Sequence, residues 1–360
     1  MIRLRATAIL KTFTHPRHDA LRNLHLEVHA DEVLALVGES GSGKTTAARI
    51  IAGLEVADEG TIELDDRVVA GPARFVPPER RAIGMVFQNA AVFPHLTVRG
   101  NILFGVPRTE RRDARALEAH LARLLAMTHL TGVADRYPHQ LSGGQIQRVA
   151  IARSLAPMPR LLILDEPFNN LDASLKSGVV REVTTILRES KVPAILVTHS
   201  PWEAFTVADR LAVIRDGAVV QSGTPEEVYR RPYDRSVAGF FGSVNEIPVH
   251  RTSTGYECAV GTVGEEVVRK DGTRLFALLR PHDLEILSAY EDANGRVVTS
   301  RYYGEYREVD VAIDGTETLL AVRASEAAAF APGDRVTVLP VGGDHRPRVA
   351  DRLAEMSGGS

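Results

Sequence analysis

One cysteine, Cys258, and one tryptophan stand among 360 residues. A lone thiol forms no internal disulfide, which excludes a disulfide-stapled secreted fold and fits a reducing compartment. Excess charge is missing too: 43 Lys and Arg face 46 Asp and Glu, for a formal charge of −3. That balance offers no electrostatic case for nucleic acid or an anionic membrane surface, so no nucleic-acid partner is expected. No segment approaches the roughly 20 apolar residues that span a bilayer. The most apolar stretches, 34–38 and 161–164, have strand length. Residues 1–13 place Arg3, Arg5 and Lys11 around a short apolar stretch, which lacks the core of a secretory signal. Repeats of fixed period and low-complexity tracts are absent. What is present, 44% hydrophobic and 25% charged residues, is the composition of a folded soluble protein.

To about residue 241, short Val/Ile/Leu runs alternate with helical patterns, the rhythm of a parallel sheet covered by helices. Strands are expected at 33–37, 82–87, 161–164, 194–198 and 211–215. Between the second and third, residues 112–127 place Leu117, Leu121, Leu124 and Leu125 on one helical stripe, an internal packing face. Beyond 243 the texture changes to short alternating segments punctuated by Asp271-Gly272, Asn294-Gly295, Asp314-Gly315 and Pro332-Gly333. This reads as a small antiparallel, barrel-like β unit with a boundary near 240–245. The tail 356–360 is expected to be disordered.

Gly38-Glu39-Ser40-Gly41-Ser42-Gly43-Lys44-Thr45 follows an apolar strand and precedes a helix starting near Thr46. Glycines let successive backbone N–H groups point into one concavity, and the helix N-terminus adds its positive dipole end. This is a phosphate loop: Lys44 is placed for β- and γ-phosphates and the Thr45 hydroxyl for Mg²⁺. Asp165 and Glu166 end the apolar run 161–164. Taken alone, two acids there describe a solvated strand end. Beside a phosphate loop, Asp165 faces the metal and Glu166 is placed to orient or deprotonate water.

Leu141-Ser142-Gly143-Gly144-Gln145 opens a second helix, with Ser142 as its cap. Two phosphate-facing helix ends in one chain are redundant unless the second serves a nucleotide held by another copy.

The ordered set of residues 38–46, Gln88, 141–145, 161–166, Asp172 and His199 resembles the nucleotide-binding subunit of an ATP-binding-cassette (ABC) transporter. The resemblance implies a phosphate-loop cassette, a RecA-like core with a helical subdomain at about 90–155, over residues 1–240. A regulatory β domain of the OB or TOBE type would follow at 245–355, with Leu279-Arg280-Pro281-His282-Asp283 its best-matching stretch. It further implies that Phe13 stacks on adenine, Gln88 senses Mg²⁺ and contacts membrane subunits, Asp172 lies at a dimer contact and His199 holds the γ-phosphate. Ser142, Gly143, Gly144 and Gln145 would complete the site of an opposing copy, so that two chains sandwich two ATP molecules. Ile146 and Asn169 depart from the commonest pattern, and neither position is assigned a catalytic role. Pro201 and Trp202 also depart, but Ser200-Pro201-Trp202-Glu203 reads as a capping box.

The implied function is ATP hydrolysis coupled to transport, with separate permease subunits, an external solute-binding protein and a peripheral location on the cytoplasmic face of the membrane. Motion would pass through Gln88 and the segment 93–104. The run Val76-Pro77-Pro78-Glu79-Arg80-Arg81 before 83–88 resembles ferric-iron import subunits most, with polyamine, sugar, sulfate, thiosulfate and molybdate subunits as near relatives. By chemistry alone Glu79-Arg80-Arg81 is a solvated loop before a strand. A soluble ABC ATPase and a ligand-sensing regulator are the readings from other classes.

Overall fold

The structure is a computed structural model that describes residues 1–107, 110–253, 255–263, 267–270, 274–288 and 293–341. The chain divides into two compact units, Met1–Val228 and Tyr229–Ser360.

The first unit holds two sheets. A six-stranded sheet runs in the order Ala218–Gly223, Arg210–Arg215, Val33–Val37, Ala194–Thr198, Leu161–Asp165, Ile83–Val86. Its pairs are parallel except at the Ala218–Gly223 edge. Every residue of Val33–Val37, Leu161–Asp165 and Ala194–Thr198 is buried, which explains their unbroken apolar runs: helices or a second sheet cover both faces. The five expected strands form five of its six members.

The second sheet is antiparallel, in the order Arg17–His29, Ile2–Thr14, Glu59–Leu64, Arg67–Gly71, Arg74–Phe75. None of these strands is among those expected from the sequence. Leu4 and Ala6 alternate inward as a half-buried strand should, but register shifts between Ala6 and Ile9 and between Ile9 and Lys11 break the two-residue period. Between the sheets lies the helix Lys44–Ala52, whose Ile50 and Ile51 join Leu4, Ile62, Leu36 and Ile163 in one core. The expected leucine stripe lies on the helix Ala114–Met127, where Leu121, Leu124 and Leu125 are buried and Leu117 is half-buried. Asp113 caps that helix by accepting from the Arg115 and Ala116 N–H groups at 3.0 Å.

Among the described residues, two five-stranded sheets build the second unit. One runs Gly261–Val263, Gly255–Cys258, Asn245–Thr252, Arg274–Leu279, Val267–Lys270; the other Leu284–Ser288, Arg335–Pro340, Gly295–Tyr302, Tyr306–Ile313, Leu319–Ser325. Their inward residues, among them Ile247, Ala277, Val309, Val322 and Val338, share a single core. Asp314-Gly315 and Pro332-Gly333 are turns with Gly φ of 71° and 98°. Asn294-Gly295 is not a hairpin turn. Gly295 opens a strand, and the Asn294 amide both donates to Val338 O and accepts from Val338 N at 2.8 Å, extending the ladder with a side chain. Asp271-Gly272 and the tail 356–360 lie outside the described residues. Arg280 is buried, and its guanidinium donates to Ala238 O at 2.7 Å and Gly242 O at 3.0 Å, closing the end of the helix Arg235–Phe240.

Candidate nucleotide-binding site

The loop 38–45 leaves the centre of the six-stranded sheet, from the carboxyl end of Val33–Val37. It is pressed against the strand Arg17–His29. A Cβ on Gly43, at φ 105°, would lie 2.4 Å from Ala20 O and 2.9 Å from Leu21 Cδ2, so only glycine fits. Gly217 N donates to Ser42 O at 3.1 Å and holds the loop from the other side. Lys44 is only 4% exposed and its Nζ donates to Gly38 O at 2.9 Å and Glu39 O at 2.6 Å. Burial pushes the Lys44 ammonium pKa down, against the opposing charges of Glu166, Asp165 and Glu39. A buried cation held by neutral carbonyls gains by turning to phosphate oxygens, where the bonds are charge-assisted. Thr46 lies in the first turn of the helix behind the loop.

Asp165 ends the buried strand Leu161–Asp165, and Thr45 Oγ1 donates to its Oδ1 at 3.1 Å. Burial pushes the Asp165 carboxyl pKa up and the Glu166 charge adds to it, while the Thr45 bond opposes. A hydroxyl and a carboxylate oxygen side by side suit a hard divalent cation such as Mg²⁺. Glu166 follows in a left-handed conformation, φ 47°, with its N–H donating to Val197 O at 3.0 Å. Its Oε1 lies 3.3 Å from His199 Nδ1, at the end of the neighbouring strand Ala194–Thr198. Its Oε2 accepts from the side-chain amide of Asn169, a residue that sequence reading left without a role. Three adjacent strands thus bring Lys44, Thr45, Asp165, Glu166 and His199 to one edge, where open α/β sheets bind ligands.

The remaining expected residues sit outside this knot. Gln88 is exposed after Ile83–Val86, and its carbonyl accepts from Asn170 Nδ2 at 3.2 Å. Phe13, near the end of Ile2–Thr14, is 37% exposed with Lys11 Nζ 5.2 Å from its ring centre. Asp172 is exposed and precedes the helix Ala173–Ser190. Ser142 and Gln145 form a reciprocal cap: Ser142 Oγ accepts from Gln145 N at 3.3 Å and Gln145 Oε1 from Ser142 N at 3.0 Å. Gly143 and Gly144 begin the helix Gly143–Leu155 against Leu171 and Val179. Among the described hydrogen bonds, those of Ser142 and Gln145 stay within their own turn.

Two readings need correction. Arg81 is not solvated but 2% exposed: Nη1 donates to Ile50 O and Ile51 O at 2.8 Å, and Nε to Val76 O at 2.7 Å. It therefore satisfies the last carbonyls of the helix Lys44–Ala52, whose other end carries the phosphate loop. Glu79 and Arg80 are exposed. The capping box at Ser200 is half-formed. Ser200 Oγ accepts from Glu203 N at 3.4 Å, but the buried Glu203 carboxylate turns to the Thr198 hydroxyl and to Lys176 Nζ at 2.6 Å. The strand before His199 is thereby tied to the helix Ala173–Ser190. In the segment 93–104, buried Asn101 donates to Phe93 O at 3.1 Å and Leu96 O at 3.0 Å, and Phe104 is exposed.

Fold and site together define a phosphate-loop ATPase cassette with a separate β unit. The profile of the family described as ABC transporter matches residues 21–169, and that of the TOBE domain residues 277–341. A Fe(3+) ions import ATP-binding protein of Rhodococcus jostii is 40% identical over 327 residues, 89% of this chain and 92% of that protein. A sulfate/thiosulfate import ATP-binding protein of Bacillus cereus is 39% identical over 315 residues, 84% of this chain and 85% of that protein. A spermidine/putrescine import ATP-binding protein of Methylococcus capsulatus is 40% identical over 308 residues, 82% of this chain and 79% of that protein. A solved dimeric ATP-binding cassette bound to ADP and Pi is similar at 28% identity and TM-score 0.50, covering 62% of this chain and 98% of that one. The chain belongs to the ABC transporter family, as an importer-type ATP-binding subunit that hydrolyses ATP to drive transport. No helix among the described residues is long and apolar enough to cross a membrane.

Proposed function

We propose that this chain is the motor of a ferric-iron importer, working as a head-to-tail homodimer at the cytoplasmic face of the membrane beneath separate permease subunits. An external solute-binding protein would deliver the cargo. The observation that carries the motor reading is the Lys44, Thr45, Asp165, Glu166 and His199 knot, which a second phosphate-facing helix end would face. Ser142, Gly143, Gly144 and Gln145 of a second copy supply that end, where the Ser142 hydroxyl keeps a proton to donate. In this reading Lys44 leaves its loop carbonyls for the β- and γ-phosphates, and residues 38–46 bind them through backbone N–H groups. Thr45 and Asp165, with Gln88, would hold Mg²⁺, which when bound neutralises charge building on the phosphate oxygens. Glu166 orients the attacking water and takes its proton, His199 holds the γ-phosphate, Phe13 packs on adenine and Asp172 meets the partner copy. Phosphate contact with both copies then biases a closed dimer, and its loss reopens it.

Ferric iron is supported by the Rhodococcus relative and by the run 76–88. The polyamine relative, at the same identity, supports the second reading. Uptake in vesicles reconstituted with the permease and its binding protein separates the two: iron-dependent ATPase stimulation is expected, and stimulation by spermidine alone would exchange the cargo. In the same vesicles Glu166→Gln should keep ATP binding while turnover falls by about 10²-fold or more, the usual contribution of a positioned base. Near-normal turnover would remove Glu166 from that role.

A further inference from the structure

We infer that Asn169 is a positioning residue for hydrolysis, holding the Glu166 carboxylate by the oxygen that His199 does not contact. The inference rests on the reading of Glu166 as the group that handles water. Glu166 has its backbone held by Val197 O, but its carboxylate, at the half-buried rim of the site, is restrained only by what touches its two oxygens. One is met by His199 Nδ1 at 3.3 Å, a long contact from a half-exposed ring. The other accepts from the Asn169 amide, three residues on in a turn where Asn169 N also donates to Glu166 O at 3.4 Å. That turn is braced on both sides: Phe168 is fully buried, and the next residue, Asn170, donates to Gln88 O at 3.2 Å and Asn89 Oδ1 at 3.0 Å. Asn169 therefore offers a donor from a braced turn where His199 offers a long contact from a half-exposed ring. An amide donates and never ionises, so it steers the carboxylate without competing for the proton that Glu166 accepts. A serine at 169 ends one bond shorter and loses this reach, which makes the asparagine a feature of this chain rather than a neutral exchange.

The test uses the full chain with its permease and compares Asn169→Leu, Asn169→Asp and Asn169→Ser with Glu166→Gln. Loss of a carboxylate's alignment costs about 10- to 100-fold in rate. The expected result is that fall in kcat for the Leu and Asp variants, with the KM for ATP and equilibrium Mg-ATP binding within about twofold. Serine should fall between them and the parent. In the Glu166→Gln background, Asn169→Leu should add no further loss in single-turnover rate, because it acts through the missing carboxylate. Parent-like kcat in both Asn169→Leu and Asn169→Asp, while Glu166→Gln is inactive, would overturn the positioning role alone. An equal loss in both backgrounds would overturn it as well. Activity retained by Glu166→Gln would instead overturn the reading beneath it. Should the leucine variant fail to fold, the isosteric aspartate carries the same comparison.

Discussion

Replacing Gly144 by alanine tests whether the signature turn is built on close helix packing. The new Cβ would lie 2.6 Å from Val179 Cγ2, and Val179 is a stiff, buried β-branched residue on the helix Ala173–Ser190. Either the start of the helix Gly143–Leu155 moves outward or Val179 leaves its rotamer. Overpacking of this kind costs about 1–3 kcal/mol, against a gain of up to ~1 kcal/mol for alanine over glycine in a helix. The net loss is about 0–3 kcal/mol, a range too wide to be diagnostic alone. Val179→Ala by itself removes two methyl groups and costs about 1–2 kcal/mol at ~0.8 kcal/mol per buried carbon. In the double variant the Cβ of residue 144 enters the vacated space, so the clash disappears. The cycle should therefore show a coupling of about 1–3 kcal/mol in favour of the pair, with helix propensity cancelling between its arms. Urea unfolding of the four proteins measures it. ATPase assays on the same set should show Gly144→Ala losing more activity than stability, because the shifted helix carries Ser142 with it, and Val179→Ala restoring part of it. A coupling within about 0.5 kcal/mol of zero would refute the packing argument.

Arg81→Met removes a donor from Ile51 O and Val76 O and leaves Ile50 O with Gly53 N at 3.1 Å, while relieving a buried charge. With unsatisfied buried carbonyls at about 1–3 kcal/mol each, a net loss of at least ~1 kcal/mol is expected, and an unchanged urea midpoint would show that the Arg81 bonds do not outweigh its buried charge. Asp165 gives a pH signature in nucleotide-free, magnesium-free protein. Its folded-state pKa is raised, chiefly by burial, so the ionised carboxylate opposes folding above its unfolded pKa, and that penalty fades as pH falls through the folded value. Asp165→Asn should therefore raise the melting temperature near neutral pH, by an amount that shrinks toward acid. A variant less stable than the parent at neutral pH would contradict the burial argument.

Much of the cassette was legible because its signals are local. Unbroken apolar runs mark strands buried on both faces, and the glycine spacing of 38–45 with its flanking strand and helix identifies a phosphate loop without any tertiary knowledge. The antiparallel sheet escaped because bulges near Ala8 and Leu10 switch the inward face in mid-strand, destroying the alternation on which strand reading depends. Arg81 escaped because its acceptors are backbone carbonyls, two of them 30 and 31 residues earlier, which carry no side-chain signature. Asn169 was visible as a departure from the common pattern, three residues from Glu166. What was missing was the sharp turn that folds its amide back onto the carboxylate.

By itself, then, the sequence determined the class of chemistry: residue types and their spacing decide which groups can cradle phosphate, hold a hard cation and activate water. Only the tertiary structure decided how those groups are held. Asn169 and His199 meet the two carboxylate oxygens of Glu166, Arg81 secures the far end of the phosphate-loop helix, and Val179 crowds the position of Gly144. The reason is physical. Functional type is a property of each side chain and its near neighbours, whereas orientation, burial and close approach are set by atoms that the chain brings together from distant positions.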